Sequence, residues 1–240
     1  ADVHAFSAYP LPLSRWGTRM ALVEQGWPHS IAVVGRQTAL WRSRAPGKPV
    51  VPVLQAWAWN SLEDGEAGYP SAQEARFMAY HAIVCGAKGL HHYGAPWPQG
   101  PHLACAIPPR VHHDLGRTHD DFIHAQAINA RFWRYYAGVV EELSAMSPVF
   151  TAEDAVTSPR AIRQLGGRGG PIEYRAKRLG NSTVLLVVNP SSEPADVEID
   201  AGLASSAASD RPTRSVAVVS TTTSGSTPVP SMQRSSSVRL

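Results

Sequence analysis

The chain has little of what usually makes chemistry easy to read. Its 240 residues hold only two cysteines, Cys85 and Cys105, too few for a disulfide framework and without the four-ligand spacing of a structural zinc site. Cys85 falls in an apolar helical run and reads as a small core residue, and whether it pairs with Cys105 depends on a distance that spacing does not give. Charge is sparse too. Charged residues make up 17% of the chain, and the formal net charge of +3 comes from scattered Arg and Lys. With no basic stripe interleaved with aromatics, nucleic acid is not an expected partner. No run approaches the roughly 20 consecutive apolar residues of a membrane-spanning helix, and the start of the chain has no basic segment followed by an apolar run. Neither a membrane partner nor a signal peptide is expected. Ala1 stands almost directly before a strand, an abrupt start that suggests a fragment.

Hydrophobic residues, at 43%, suffice for a sizeable core, in one large domain or a moderate one with a small companion. From Asp2 to about Met146 short apolar runs alternate with helical stretches, the pattern of βα units on a parallel sheet. A strand over residues 2–9 is stopped by Pro10, and a helix is expected between Thr18 and Arg44. A Val-rich strand over 49–57, bracketed by Gly47 and Asn60, suits burial on both faces. Ser71 and Glu74 form a capping box for a helix running to about Cys85, where Gly86 supplies the stop. Residues 89–93 read as a third strand. Ala125, Ile128, Phe132, Tyr136, Val139, Leu143 and Met146 then recur at spacings of three and four, which places one face of a long helix on a sheet.

After Pro148 the composition shifts to Ser, Thr, Val and Gly. Five short strands, near 172–177, 183–188, 196–199, 215–220 and 237–240, predict a small antiparallel β-sandwich over 151–240, with Gly180-Asn181 as the turn between the first two. The Ser/Thr-rich stretch 220–237 is read as a loop or linker.

Several segments carry a resemblance in their order and spacing. Asp2-Val3 through Tyr9-Pro10, Lys48-Pro49-Val50 to Gln55-Ala56-Trp57, and Gln73-Glu74-Ala75-Arg76-Phe77-Met78-Ala79-Tyr80 into Gly86-Ala87-Lys88-Gly89-Leu90 resemble the last three units of (β/α)8-barrel glycoside hydrolases, including β-galactosidase-like ones. The resemblance implies a partial TIM barrel over 1–150, strands six to eight, followed by an accessory sandwich. It implies a carbohydrate substrate, no cofactor, and, by analogy, an extracellular or periplasmic location. The site would lie at the carboxyl-terminal ends of the strands, where Tyr9, Gln55, Trp57, Trp59, His92, Tyr93 and Trp97 are the candidate substrate-binding residues.

Two carboxyl groups usually cut a glycosidic bond. In many relatives the acid stands on strand four and the nucleophile on strand seven, so the resemblance puts the catalytic pair largely upstream of Ala1. Strand seven here ends in Gln55, a neutral amide and a far poorer nucleophile than a carboxylate. Gln55 reads equally as a hydrogen-bonding partner for a sugar hydroxyl or as an amide satisfied by neighbouring backbone. The tryptophans have flat faces suited to pyranose C–H faces, and each alone also suits packing at the barrel mouth. Glu63, Asp64 and Glu66 follow strand seven and read as a solvated acidic loop. Asp2 belongs to the opposite, stability end.

Alternation sends only one of His91 and His92 into the barrel. His112-His113-Asp114 with His119-Asp120-Asp121 fits no short metal motif, and Asp120-Asp121 suit the head of a helix, so no metal is expected. Two functions remain, a glycosidase and a non-catalytic carbohydrate-binding or structural relative. An isolated run of three units would expose a strand edge and the inner sheet face.

Overall fold

The chain, seen in a computed structural model, is described over residues 2–11, 31–56, 70–94, 119–156, 162–167, 171–191, 195–199, 216–221 and 237–239. Strands β1 (His4–Ala8), β2 (Val50–Gln55) and β3 (His91–Tyr93) form a parallel sheet in that order. Helix α1 (Val33–Arg44) lies between the first two strands, α2 (Ala72–Val84) between the second pair, and α3 (His119–Ala145) and the short α4 (Ser147–Thr151) follow. This is the succession of βα units that the apolar pattern predicts.

Alternation sorts the sheet into two faces. Ala8 and Leu54 join Val33 and Val34 of α1 and Phe77, Met78, Ile83 and Val84 of α2 in one core. The ring of His4 lies against Trp41 of α1, with centroids 4.0 Å apart. Residues 4, 6 and 8 of β1 and 50, 52 and 54 of β2, paired in register, therefore face the helices. The alternate set, Ala5, Ser7, Val51 and Val53, is exposed or half-buried.

Helix α2 begins as its sequence dictates. Ser71 Oγ accepts from the Glu74 N–H at 3.2 Å, and Glu74 Oε2 accepts from the Ser71 N–H at 2.7 Å, closing a capping box that satisfies two otherwise unpaired donors. At its other end the chain turns at Gly86 with φ +100°, a conformation that favours glycine. The Arg42 guanidinium of α1 donates to the Cys85 carbonyl at 3.0 Å. In α3, the predicted face is buried where side chains are described, at Phe132, Tyr136, Val139 and Leu143.

The later strands depart from the expected sandwich. β4 (Ile162–Gly167), β7 (Ala195–Ile199) and β9 (Ser237–Arg239) form an antiparallel sheet. In the other sheet β5 (Glu173–Leu179) pairs antiparallel with β6 (Ser182–Val188), whereas β6 pairs parallel with β8 (Val216–Thr221). The expectation of a purely antiparallel sandwich is corrected on this point: the connection between β6 and β8 returns the chain to the same direction. β4 is a sixth strand that the apolar pattern does not announce. Gly180, at φ +58°, forms the expected turn between Leu179 and Ser182, which pair.

β6 ties the two parts together. Its Val184, Leu186 and Val188 enter the core built around α2, while Leu185 and Val187 pack with Ala176, Val197 and Ile199 between the two small sheets. A strand buried on both faces needs an apolar run without alternation, and Val184-Leu185-Leu186-Val187-Val188 is one.

Candidate functional site

The carboxyl-terminal ends of β1, β2 and β3 gather four of the seven candidate residues. Trp57, Trp59 and Trp97 lie outside the described residues, as do Glu63, Asp64, Glu66 and His112-His113-Asp114. Gln55 pairs in register with Tyr93, and Leu54 with His92. The parity that sends Leu54 to the helices sends Gln55 and Tyr93 to the opposite face and His92 to the helices.

Tyr9 and Tyr93 meet on that opposite face. Their ring centroids are 5.8 Å apart with planes inclined by 30°, although β2 separates their strands. Tyr93 is 54% exposed, and the Tyr9 hydroxyl donates to Ser7 Oγ at 3.3 Å. Tyr93, Tyr9, Ser7 and the exposed His91 thus share one face. Ser7 and His91 are legible as its members only once the parity is known.

Gln55 is buried at 0% exposure. Its Oε1 accepts from the Leu11 N–H at 3.0 Å, and its Nε2 donates to the Leu11 carbonyl at 2.8 Å. Of the two readings open from sequence, satisfaction by neighbouring backbone is the arrangement present. The amide closes a ring with the segment that leaves β1 and so fixes the course of the chain there.

His92 is corrected as a residue of this face. Its Nδ1 lies 2.5 Å from the Tyr136 hydroxyl of α3, and the rings meet edge to face. Burial, and secondly the neighbouring His91, lower the His92 pKa. Burial, and secondly Tyr135, raise that of Tyr136. Both groups are thereby held neutral, and the contact is a packing and hydrogen-bonding one between strand and helix.

None of the described residues at these strand ends, 8–11, 54–56 and 92–94, is a carboxylate. What the face offers is an aromatic pair, Tyr93 exposed and Tyr9 half-buried, flanked by a hydroxyl and an imidazole, a surface for a flat, hydroxylated ligand. A second polar group stands elsewhere. His81 and Cys85 near the end of α2 meet Glu173 of β5, a cluster hidden from sequence because Glu173 is distant along the chain. Comparison of the chain with family models, curated proteins and solved structures finds no match.

Proposed function

We propose that this chain supplies strands six to eight of a glycoside-hydrolase-type (β/α)8 barrel acting on a carbohydrate, with residues 151–240 as an accessory β domain. The observation that carries the reading is the Tyr9–Tyr93 pair, with Tyr93 exposed and Tyr9 half-buried, on one face at the carboxyl-terminal ends of parallel strands. Aromatic faces match the C–H faces of pyranose rings, and such strand ends are where barrel enzymes bind their substrates. The three sequential parallel strands with helices on one face are consistent with a barrel arc. The catalytic carboxylates of this reading are supplied from outside the described residues.

The test is titration of the protein with methyl pyranosides and short oligosaccharides, followed by calorimetry. Tyr93→Ala is expected to weaken binding about two- to tenfold, the scale of one aromatic contact. Absence of binding to every sugar tried would count against the reading, as would binding indifferent to both Tyr9→Ala and Tyr93→Ala.

A second reading, a carbohydrate-binding relative without turnover, is favoured by Gln55. At the end of β2 an amide engaged with Leu11 stands where the resemblance calls for a nucleophile. Hydrolysis of an aryl glycoside, abolished by a single carboxylate substitution, would exclude it.

A further inference from the structure

We propose that His81, Cys85 and Glu173 form a binding site for a divalent transition cation of zinc's borderline softness, clamping helix α2 to strand β5. The three donor atoms, imidazole nitrogen, thiol sulfur and carboxylate oxygen, lie within 4.8 Å of one another. His81 Nε2 is 3.0 Å and Cys85 Sγ 3.1 Å from the same oxygen, Glu173 Oε2. Nitrogen, sulfur and oxygen together are a ligand set that zinc accepts. Bonds of about 2.0–2.3 Å at a tetrahedral centre place donors about 3.3–3.8 Å apart, so the contacts to Glu173 need to open by a few tenths of an ångström, and the His81 and Cys85 donors, within 4.8 Å of each other, need to settle at the same spacing.

Local structure builds the site. His81 and Cys85 are four residues apart and stand one above the other on α2. Gly35 of α1 makes room for the imidazole, since a Cβ there would lie 2.4 Å from His81 Nε2 and Cδ2. Glu173 is 32% exposed, which gives a cation a route from solvent. The Lys88 N–H donates to the Val50 carbonyl at 2.9 Å, so this end of α2 lies by the start of β2, away from Gln55 and the tyrosine face. The site is therefore separate from the sugar-binding reading.

Binding has a definite proton balance. A neutral imidazole that donates Nε2–H to Glu173 becomes a ligand when that proton moves to Nδ1, a step with no net proton release. The thiol loses its proton to solvent and its sulfur pair forms the bond to the cation. Because the Cys85 thiol is the donor to Glu173 Oε2, one proton is released per cation bound.

Two features limit affinity. His81 Nδ1 is buried with no hydrogen-bond partner among the described residues, and lack of an outer partner for a ligating histidine costs about 10–100-fold. Arg36, Arg42 and Arg175 also act on Glu173 or Cys85 with positive charge.

The experiment is a Co(II) titration of the reduced full chain, watched by absorption. The expected result is a saturable thiolate-to-cobalt charge-transfer band at one equivalent, displaced by Zn(II), and a proton release of about one from calorimetry in buffers of different ionisation enthalpy. Cys85→Ser should remove the band, Cys105→Ser should keep it, and Glu173→Gln should weaken binding at least tenfold. Zn(II) should also raise the melting temperature of the wild type but not of Cys85→Ser. Because His81 is buried and its replacement risks unfolding the chain, the cysteine and glutamate variants carry the test. Absence of the band in folded wild type, or its persistence in Cys85→Ser, overturns the proposal and leaves a hydrogen-bonded contact between helix and strand.

Discussion

Gln55 shows at the residue scale how a strand end can be chemically silent and structurally demanding. Both polar atoms of its buried amide are matched to the Leu11 backbone, so Gln55→Leu leaves a buried N–H and C=O without these partners. A loss of about 1–3 kcal/mol is expected, measurable by urea unfolding. Gln55→Glu is the more informative change, because it replaces the donating Nε2 by an oxygen facing the Leu11 carbonyl. The folded state then favours the neutral acid and raises the pKa of the introduced carboxyl above its unfolded value near 4.3. Its stability contribution is present below that unfolded value and lost as pH rises through the folded one. The variant should therefore regain stability relative to wild type on acidification, and equal pH profiles for the two proteins would contradict the assigned geometry.

A second residue-scale effect runs with the opposite sign. Asp154 accepts from the Arg175 guanidinium at 2.8 Å and from the buried Lys177 ammonium at 2.9 Å. The hydrogen bond from Arg175 leads in holding its carboxyl well below the usual range; burial opposes it, and Lys177 adds to the lowering. A depressed carboxylate contributes stability above its unfolded pKa, about 3.9, and loses it as pH falls through the folded value. Acid unfolding of the wild type should thus steepen below about pH 4, and Asp154→Asn should show a flatter acid limb.

At the element scale, α2 organises the molecule. Its capping box, its buried face and its contact with β6 were readable to different degrees. Ser71 and Glu74 announce its start because capping is local chemistry, and Ser71→Ala should cost about 0.5–2 kcal/mol, seen as a lower melting temperature. β1, β2, β3 and α3 were legible from periodicity, with ends displaced by a few residues. β4 was not, since Arg163, Gln164, Gly166 and Gly167 obscure any period of two and the strand contains an irregularity between Gln164 and Gly166. The parallel β6–β8 pairing was also hidden, because direction depends on the path of the connection and not on strand composition. Within the site, Tyr9 and Tyr93 follow from strand ends and parity. The inward turn of His91 and not His92 required the register, and the cluster at Glu173 required the tertiary fold.

On the scale of the whole molecule, the two parts of the chain are joined by a common core and differ in how well they are covered. Val184, Leu186 and Val188 of β6 pack with Phe77 and Met78 of α2, so Leu186→Ala should cost about 2–5 kcal/mol and lower the stability of the parallel sheet as well as of the β domain. Hydrogen exchange should report the loss in amides of β2 as clearly as in those of β5. The other face of the parallel sheet is less protected. Tyr93 is 54% and Val3 49% exposed, Ala5, Ser7 and His91 are exposed, and β1 and β3 are edge strands among the described residues. Open edges beside a partly exposed face favour pairing with another chain. The isolated chain is therefore expected to self-associate with rising concentration, as measured by light scattering after size exclusion. Replacing Ser7 and Val53, inward on β1 and β2, with Lys should shift it toward monomer by placing charge on that face. A wild-type chain that stays monomeric throughout would mean that this face is covered within the chain, and the barrel arc would lose its main structural support.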